Sequence, residues 1–279
     1  QTRDFTWSST LNITLIKNRV TRLANEDADI INTYNVTSVG HPIGSYFGFE
    51  SAGVNPANGN PLWYKKDGSI VQGNFSTGKY YTYDPKNGAD LSTTAPALTF
   101  ADKRILGNPN PTWFGGFNNT FSFKGFDLNV FLTFSGGNET YNITAQESLN
   151  NQKFMNSGQI QMQRWTTSGQ ITSVPKLYYG SDNFVNQNGN LNSRFLEKAN
   201  YLRGQNITLG YTVPAAKVAS LHINSLRFFG QVQNAFIVTN YSGLDPELGI
   251  SVTTNNTPGL DYNTSPIPRT FMAGLNVTF

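Results

Sequence analysis

The last eleven residues, Arg269-Thr270-Phe271-Met272-Ala273-Gly274-Leu275-Asn276-Val277-Thr278-Phe279, constrain the fold more than any other stretch. From Phe271 every second residue is apolar: Phe271, Ala273, Leu275, Val277 and Phe279. The alternate set, Thr270, Met272, Gly274, Asn276 and Thr278, is mostly small or polar. Strand side chains point to opposite faces in turn, so the pattern predicts a strand with one apolar face and one that tolerates water. Two architectures own such a strand. One is a transmembrane β-barrel closed by a strand ending on an aromatic residue; the other is a soluble β-sandwich.

Composition narrows the choice. Charged residues make up 13% of the 279, about half the share in a typical soluble domain. Aromatics also reach 13%. A mean hydropathy of -0.37 is polar for a helical membrane protein, but not for a barrel that turns only alternate residues to lipid and adds wet loops. No apolar run approaches the roughly 20 residues of a spanning helix. Cysteine is absent, which excludes disulfides, thiolate metal sites and a cysteine nucleophile. The net charge of +3 comes without a Lys/Arg cluster, so nucleic-acid binding has no electrostatic support.

The alternation recurs along the chain. Strands are predicted over 5–16, 40–54, 112–123, 127–135, 201–213, 222–239 and 271–279. Lys124-Gly125-Phe126-Asp127 forms a tight turn, Gly125 being free to adopt positive φ. A helical segment is expected over 149–164. The stretches 55–111, 136–199 and 240–268 read as loops, with turn signals such as Asn55-Pro56, Asp67-Gly68 and Asp84-Pro85. Connections after 123 and 213 are short, those after 54, 135 and 239 long, and the one after 16 intermediate. Short turns at one end and long loops at the other are the rhythm of a membrane barrel, and a sandwich has no reason to keep it. The expected fold is all-β: about seven antiparallel strands from a large transmembrane barrel.

Several stretches resemble, in order, the C-terminal part of SusC/RagA-like TonB-dependent transporters of the Bacteroidetes outer membrane. They are GHPIGSYFGFESAGV (40–54), GNPNPTWFGGFNNTFSFKGFDLNVFLTFSGGNETYN (107–142), RWTTSGQITSVPKL (164–177), YLRGQNITLGYTVP (201–214), QNAFIVTNYSGLDPEL (233–248) and PRTFMAGLNVTF (268–279). The resemblance implies a barrel of about 22 strands around a plug, energised by TonB through an N-terminal region and covered by a SusD-like surface lipoprotein. Uptake of glycans or peptides follows from it, with a scaffold role in a larger envelope complex as the alternative. Residues 1–279 are expected to be the C-terminal portion of such a barrel, with the plug and first strands outside them and lipid around them. The C-terminus would then be periplasmic and the long loops extracellular. Phe271, Leu275, Val277 and Phe279 would carry the closing strand and the signal read during barrel assembly.

No catalytic constellation, metal-ligand spacing or cofactor motif is found, and no enzymatic activity or cofactor is expected. His41 and His222, the two histidines, stand in no metal motif. Glu26, Asp27 and Asp29 read as a solvated turn ahead of a cation site. Asn-X-Ser/Thr triplets at Asn12, Asn118, Asn206 and Asn276 read as strand composition. Trp7, Trp113, Tyr201, Tyr211, Phe271 and Phe279 are expected in interfacial girdles. For ligand or lid contact in the loops the candidates are Trp63, Tyr64, Tyr81, Asp245 and Glu247, together with Tyr80 and Tyr83.

Overall fold

The computed structural model describes residues 4–153, 155–180, 182–249 and 257–279. Six long strands form one antiparallel sheet in simple sequence order: β1 (Phe5–Leu15), β2 (Trp113–Phe123), β3 (Phe126–Gly136), β4 (Tyr201–Val213), β5 (Ser225–Thr239) and β6 (Thr270–Thr278). Register follows directly from composition. Leu11, Phe117 and Leu132 lie side by side, as do Phe126, Tyr211, Phe228 and Leu275. These rows make one face mainly apolar, broken by Ser9 and Asn119, whose amide oxygen accepts from the Trp7 indole at 3.2 Å, and the outward set of β6 (Phe271, Ala273, Leu275, Val277) belongs to it. The other face carries Thr10, Asn12, Asn118, Asn129, Asn206, Gln231 and Asn276.

Rings collect toward both ends of the apolar face. Trp7 stacks on Phe121 with centroids 6.1 Å apart, and Phe126 meets Tyr211 at 4.6 Å, near the short-turn end. Trp113 meets Phe134 at 6.1 Å near the long-loop end. The ten steps from Trp113 to Phe123 measure about 33 Å along the strand, or about 25 Å in height at the usual tilt. That is the height of a barrel's apolar band. Tyr201 departs from the girdle expectation: it pairs with Ser135 and Thr239 on the polar face.

Lys124 and Gly125 join β2 to β3 as a two-residue turn with φ of 50° and 88°, so both central residues are left-handed. A Cβ on Gly125 would sit 2.8 Å from the Thr212 carbonyl oxygen. Gly125→Ala is therefore expected to destabilise the sheet by about 1–2 kcal/mol, read as a lower urea midpoint in detergent.

The seventh expected strand, 40–54, does not join this sheet. It divides into Ser45–Phe49 and Ser51–Val54, which belong to two other sheets. Five residues are too few to cross a bilayer, which takes about 9–11. With this stretch removed, the connections alternate strictly: 16–112, 137–200 and 240–269 are long, while 124–125 and 214–224 are short. The expected helix over 149–164 is also replaced, by a π-turn at Ala145–Leu149 and a 3-10 turn at Gln159–Gln163. Near the N-terminal side, Asn25, Glu26 and Asp27 form a left-handed turn in which Asp27 accepts a 2.6 Å hydrogen bond from the Leu23 N–H.

The three long connections are not open loops. They build a subdomain with its own cores, one around Tyr46, Tyr141, Leu191 and Phe195, the other around Phe49, Trp63, Val71 and Tyr80. A five-stranded meander runs through Ser51–Val54, Pro61–Tyr64, Ile70–Asn74, Lys79–Thr82 and Thr94–Ala95. Several buried amides of the subdomain are paired. Gln72 Oε1 accepts from Asn55 and Asn58, each at 2.8 Å, and Gln146 accepts from the Tyr141 hydroxyl at 2.7 Å. Unpaired, each buried amide would cost on the order of 1–3 kcal/mol, so the asparagine-rich composition is structural here.

Asp102 pins this subdomain to the segment leading into β2. Burial raises its pKa, but hydrogen bonds from Lys65, Thr99 and the Lys66 N–H outweigh that and lower it to about 2. A depressed carboxyl stabilises the fold above its unfolded pKa and loses that contribution as pH falls toward the folded value. Stability of the subdomain is therefore expected to drop by about 1–2 kcal/mol between pH 4 and pH 2. Trp63 fluorescence would follow the transition, and Lys65→Met should reduce this pH dependence, the bonds from Thr99 and the Lys66 N–H keeping the rest.

Candidate functional site

The polar face is a connected surface. Asn129 Nδ2 donates to Asn118 Oδ1 and Thr120 Oγ1, both at 2.9 Å, and Gln231 Nε2 donates to Asn206 Oδ1 at 2.7 Å. Toward the short-turn end Arg227 grips Asp127 through Nε at 3.0 Å and a second nitrogen at 2.5 Å. In a barrel this face lines the lumen, where amides and a paired charge offer hydrogen bonds without an uncompensated field.

At the long-loop end the polar face closes on a charged cluster. Arg203 on β4 reaches both oxygens of Asp245 at 2.8 Å and Glu247 Oε2 at 2.7 Å. The Arg203 and Asp245 side chains are 4% and 3% exposed. Glu247 accepts from the Tyr201 hydroxyl at 2.5 Å, and its N–H bonds back to Asp245 Oδ1. The cluster ties the 240–249 loop to the sheet.

Two cavities flank this tether. One, of about 250 Å³, is bounded by Pro109, Asn138, Tyr201, Pro246 and Glu247. The other, of about 370 Å³, lies between Asn142, Leu149, Ser242, Leu244, Asp261 and Pro266. Tyr241 beside it hydrogen-bonds Asp261 at 2.6 Å; burial, with that carboxylate, pushes the phenol pKa up and keeps it neutral. Such surroundings can bind and orient a polar ligand. Among the described residues no group of three or more His, Cys, Asp or Glu gathers as a metal site.

Of the candidates read from the sequence, Asp245 and Glu247 meet at this rim. Trp63 and Tyr81 do not: they are 1% and 8% exposed. The Trp63 indole packs with Phe49 and Val71, and the Tyr81 hydroxyl is spent on Thr77 at 3.1 Å. Their aromatic character serves the core, not a ligand surface. Tyr80 is likewise buried, bonded to Gln187 at 2.9 Å, and Tyr64 is half-buried at the end of the strand Pro61–Tyr64. Sequence reasoning missed Arg203, whose signal was an arginine at an inward position of an otherwise neutral strand.

No family model matches the chain. Curated relatives match it nearly end to end. It is 28% identical over 290 residues to TonB-dependent receptor P3 of Formosa agariphila, covering 99% of the chain and 27% of that protein. It is 25% identical over 292 residues to TonB-dependent receptor SusC of Bacteroides thetaiotaomicron, covering 100% of the chain and 25% of that protein. Among solved structures it superposes on the RagAB peptide transporter with a TM-score of 0.76 at 22% identity, over 100% of the chain and 28% of its counterpart. The chain thus spans about a quarter of the length of the relatives it matches. Those relatives are TonB-dependent receptors and a peptide transporter. In sequence the chain is similar to about a quarter of the length of SusC-like TonB-dependent receptors, and in fold to a like share of the RagAB transporter.

Proposed function

We propose that residues 1–279 form the C-terminal wall and outer subdomain of an outer-membrane importer energised through TonB. The observation that carries this reading is the two-faced six-stranded sheet with all three long connections gathered at one end. An apolar face about 25 Å high suits lipid, and the amide-lined face suits a solute path. In this reading the short turns and Phe279 are periplasmic, and the subdomain built by 16–112, 137–200 and 240–269 is extracellular. Strands supplied from outside this chain satisfy the free edges of β1 and β6, because unpaired backbone cannot stand in lipid. Phe271, Leu275, Val277 and Phe279 make the closing strand and its assembly signal.

A SusD-like lipoprotein over the outer subdomain fits the similarity to SusC and to RagAB, and the cargo is a glycan or a peptide. The rim cluster holds the 240–249 loop at the mouth of the lumen, so Asp245 and Glu247 act as its tether. Growth on single oligosaccharide or peptide sources tests the function. Deleting the gene should abolish uptake of one such source, a proton-gradient uncoupler should do the same, and the intact gene should restore it. Unchanged uptake on every source, with loss of a larger envelope complex, would instead establish the scaffold role.

A further inference from the structure

We propose that the cavity framed by Phe47, Phe100, Lys66 and Lys103 on the outer subdomain binds a carboxylate or sulfate group carried on a ring, as in an acidic sugar. The cavity measures about 360 Å³, within the range of small-molecule sites, and its lining also includes Asp102 and Arg104. Phe47 comes from the strand Ser45–Phe49, while Phe100 and Lys103 come from the 3-10 turn that leads into the strand Arg104–Gly107. The two rings stand 5.6 Å apart at 57°, with Phe100 itself 57% exposed. They offer an apolar wall to the C–H face of a ring.

The charge balance points to an anion. Lys103 Nζ lies 5.4 Å from the Phe49 ring centroid and 5.6 Å from that of Phe100. Among the described residues it has no carboxylate partner. The two nearby acids are already committed. Asp102 is held by Lys65 at 2.8 Å and by the Lys66 and Thr99 N–H groups, and Glu50 is held by Arg104 at 2.9 Å. Lys66, exposed and unpaired in the described structure, adds a second cation. Partial burial lowers the Lys103 pKa, the cost of drawing an ammonium from water without a counter-ion. An anion seated between the two lysines offsets that cost. The walls are fixed in advance, since Arg104 also bonds the Lys65 carbonyl at 2.7 Å.

Calorimetry on the full-length protein in detergent tests the site, using trigalacturonate, benzoate and neutral maltotriose as probes. Trigalacturonate is expected to bind, more weakly as salt rises, and maltotriose not to compete. Lys103→Met should weaken binding about tenfold or more, and Phe100→Ala several-fold. Lys66→Gln, an exposed change that leaves the core intact, should weaken it too and guards against misfolding of the first variant. Preference for benzoate over trigalacturonate would overturn the acidic-sugar assignment. Equal binding of maltotriose, no binding of either anion, or full affinity in all three variants would overturn the site. Binding to purified protein is independent of transport, so its failure leaves the import reading untouched, and the reverse also holds.

Discussion

Arg203→Ala is expected to destabilise the protein by about 3–5 kcal/mol, the largest single effect outside the apolar cores. The guanidinium satisfies Asp245 twice at 2.8 Å, and both groups are almost fully buried. Removing the cation leaves a buried carboxylate with only the Glu247 N–H to offset its desolvation. The double replacement Arg203→Met with Asp245→Asn takes out both charges and should recover at least half of the loss. Urea unfolding in detergent measures the stability. Limited proteolysis at 240–249 reports the tether, which should be cut faster in Arg203→Ala alone. An unchanged urea midpoint would show that the cluster does not hold the loop.

Val130→Arg is the second large effect. Val130 stands on the apolar face of β3, midway between Phe126 and Phe134, in a row with Ile207, Val232 and Phe271. At the bilayer midplane an arginine costs about 2–4 kcal/mol. Thr208→Arg lies one residue along on β4 but on the polar face, and should cost less than about 1 kcal/mol. Leu275 and Val277 lie nearer the end of β6, so arginine there should cost less than at Val130 because the penalty falls toward the interface. Folded fractions in lipid vesicles give the comparison. Equal costs for Val130→Arg and Thr208→Arg would mean that neither face meets lipid.

Much of the sheet was legible because its chemistry repeats every two residues. Each of Asn12/Thr14, Asn118/Thr120, Asn206/Thr208 and Asn276/Thr278 sets two polar side chains on one face, and the register places all four pairs on the polar side. The Lys124-Gly125 turn was legible for a similar reason, since the glycine is what the left-handed backbone needs.

The outer subdomain was less so. The stretch 45–54 alternates like a barrel strand, but Ser45–Phe49 is mostly buried, in part by the distant Leu191, while Ser51–Val54 is half-buried and pairs with Pro61–Tyr64. Gly48 lets Leu191 come so close that a Cβ would lie 2.0 Å from the Leu191 carbonyl oxygen. No local pattern announces that approach. Turn signals in 55–111 and the asparagine and glutamine of 136–199 suggested loops, because sequence alone does not show that Gln72 is the partner of Asn55 and Asn58. The same blindness placed Trp63 and Tyr81 among ligand contacts. Asp245 and Glu247 converged because a charge in a neutral chain must find either water or a partner, and Arg203 was within reach.

Residues 1–279 contain no cysteine, so single cysteines placed in them report topology once the unsubstituted full-length protein has set the labelling background. The most direct measurement places one at Ile171, one at Asn87 and one at Ser220, each in the full-length protein, and labels intact cells with a membrane-impermeant maleimide. Ile171 and Asn87 lie on the outer subdomain, and Ser220 in the short β4–β5 connection. The barrel orientation predicts rapid labelling at Ile171 and Asn87, with Ser220 reacting only after the outer membrane is opened. Labelling of Ser220 from outside, with Ile171 and Asn87 protected, would contradict it.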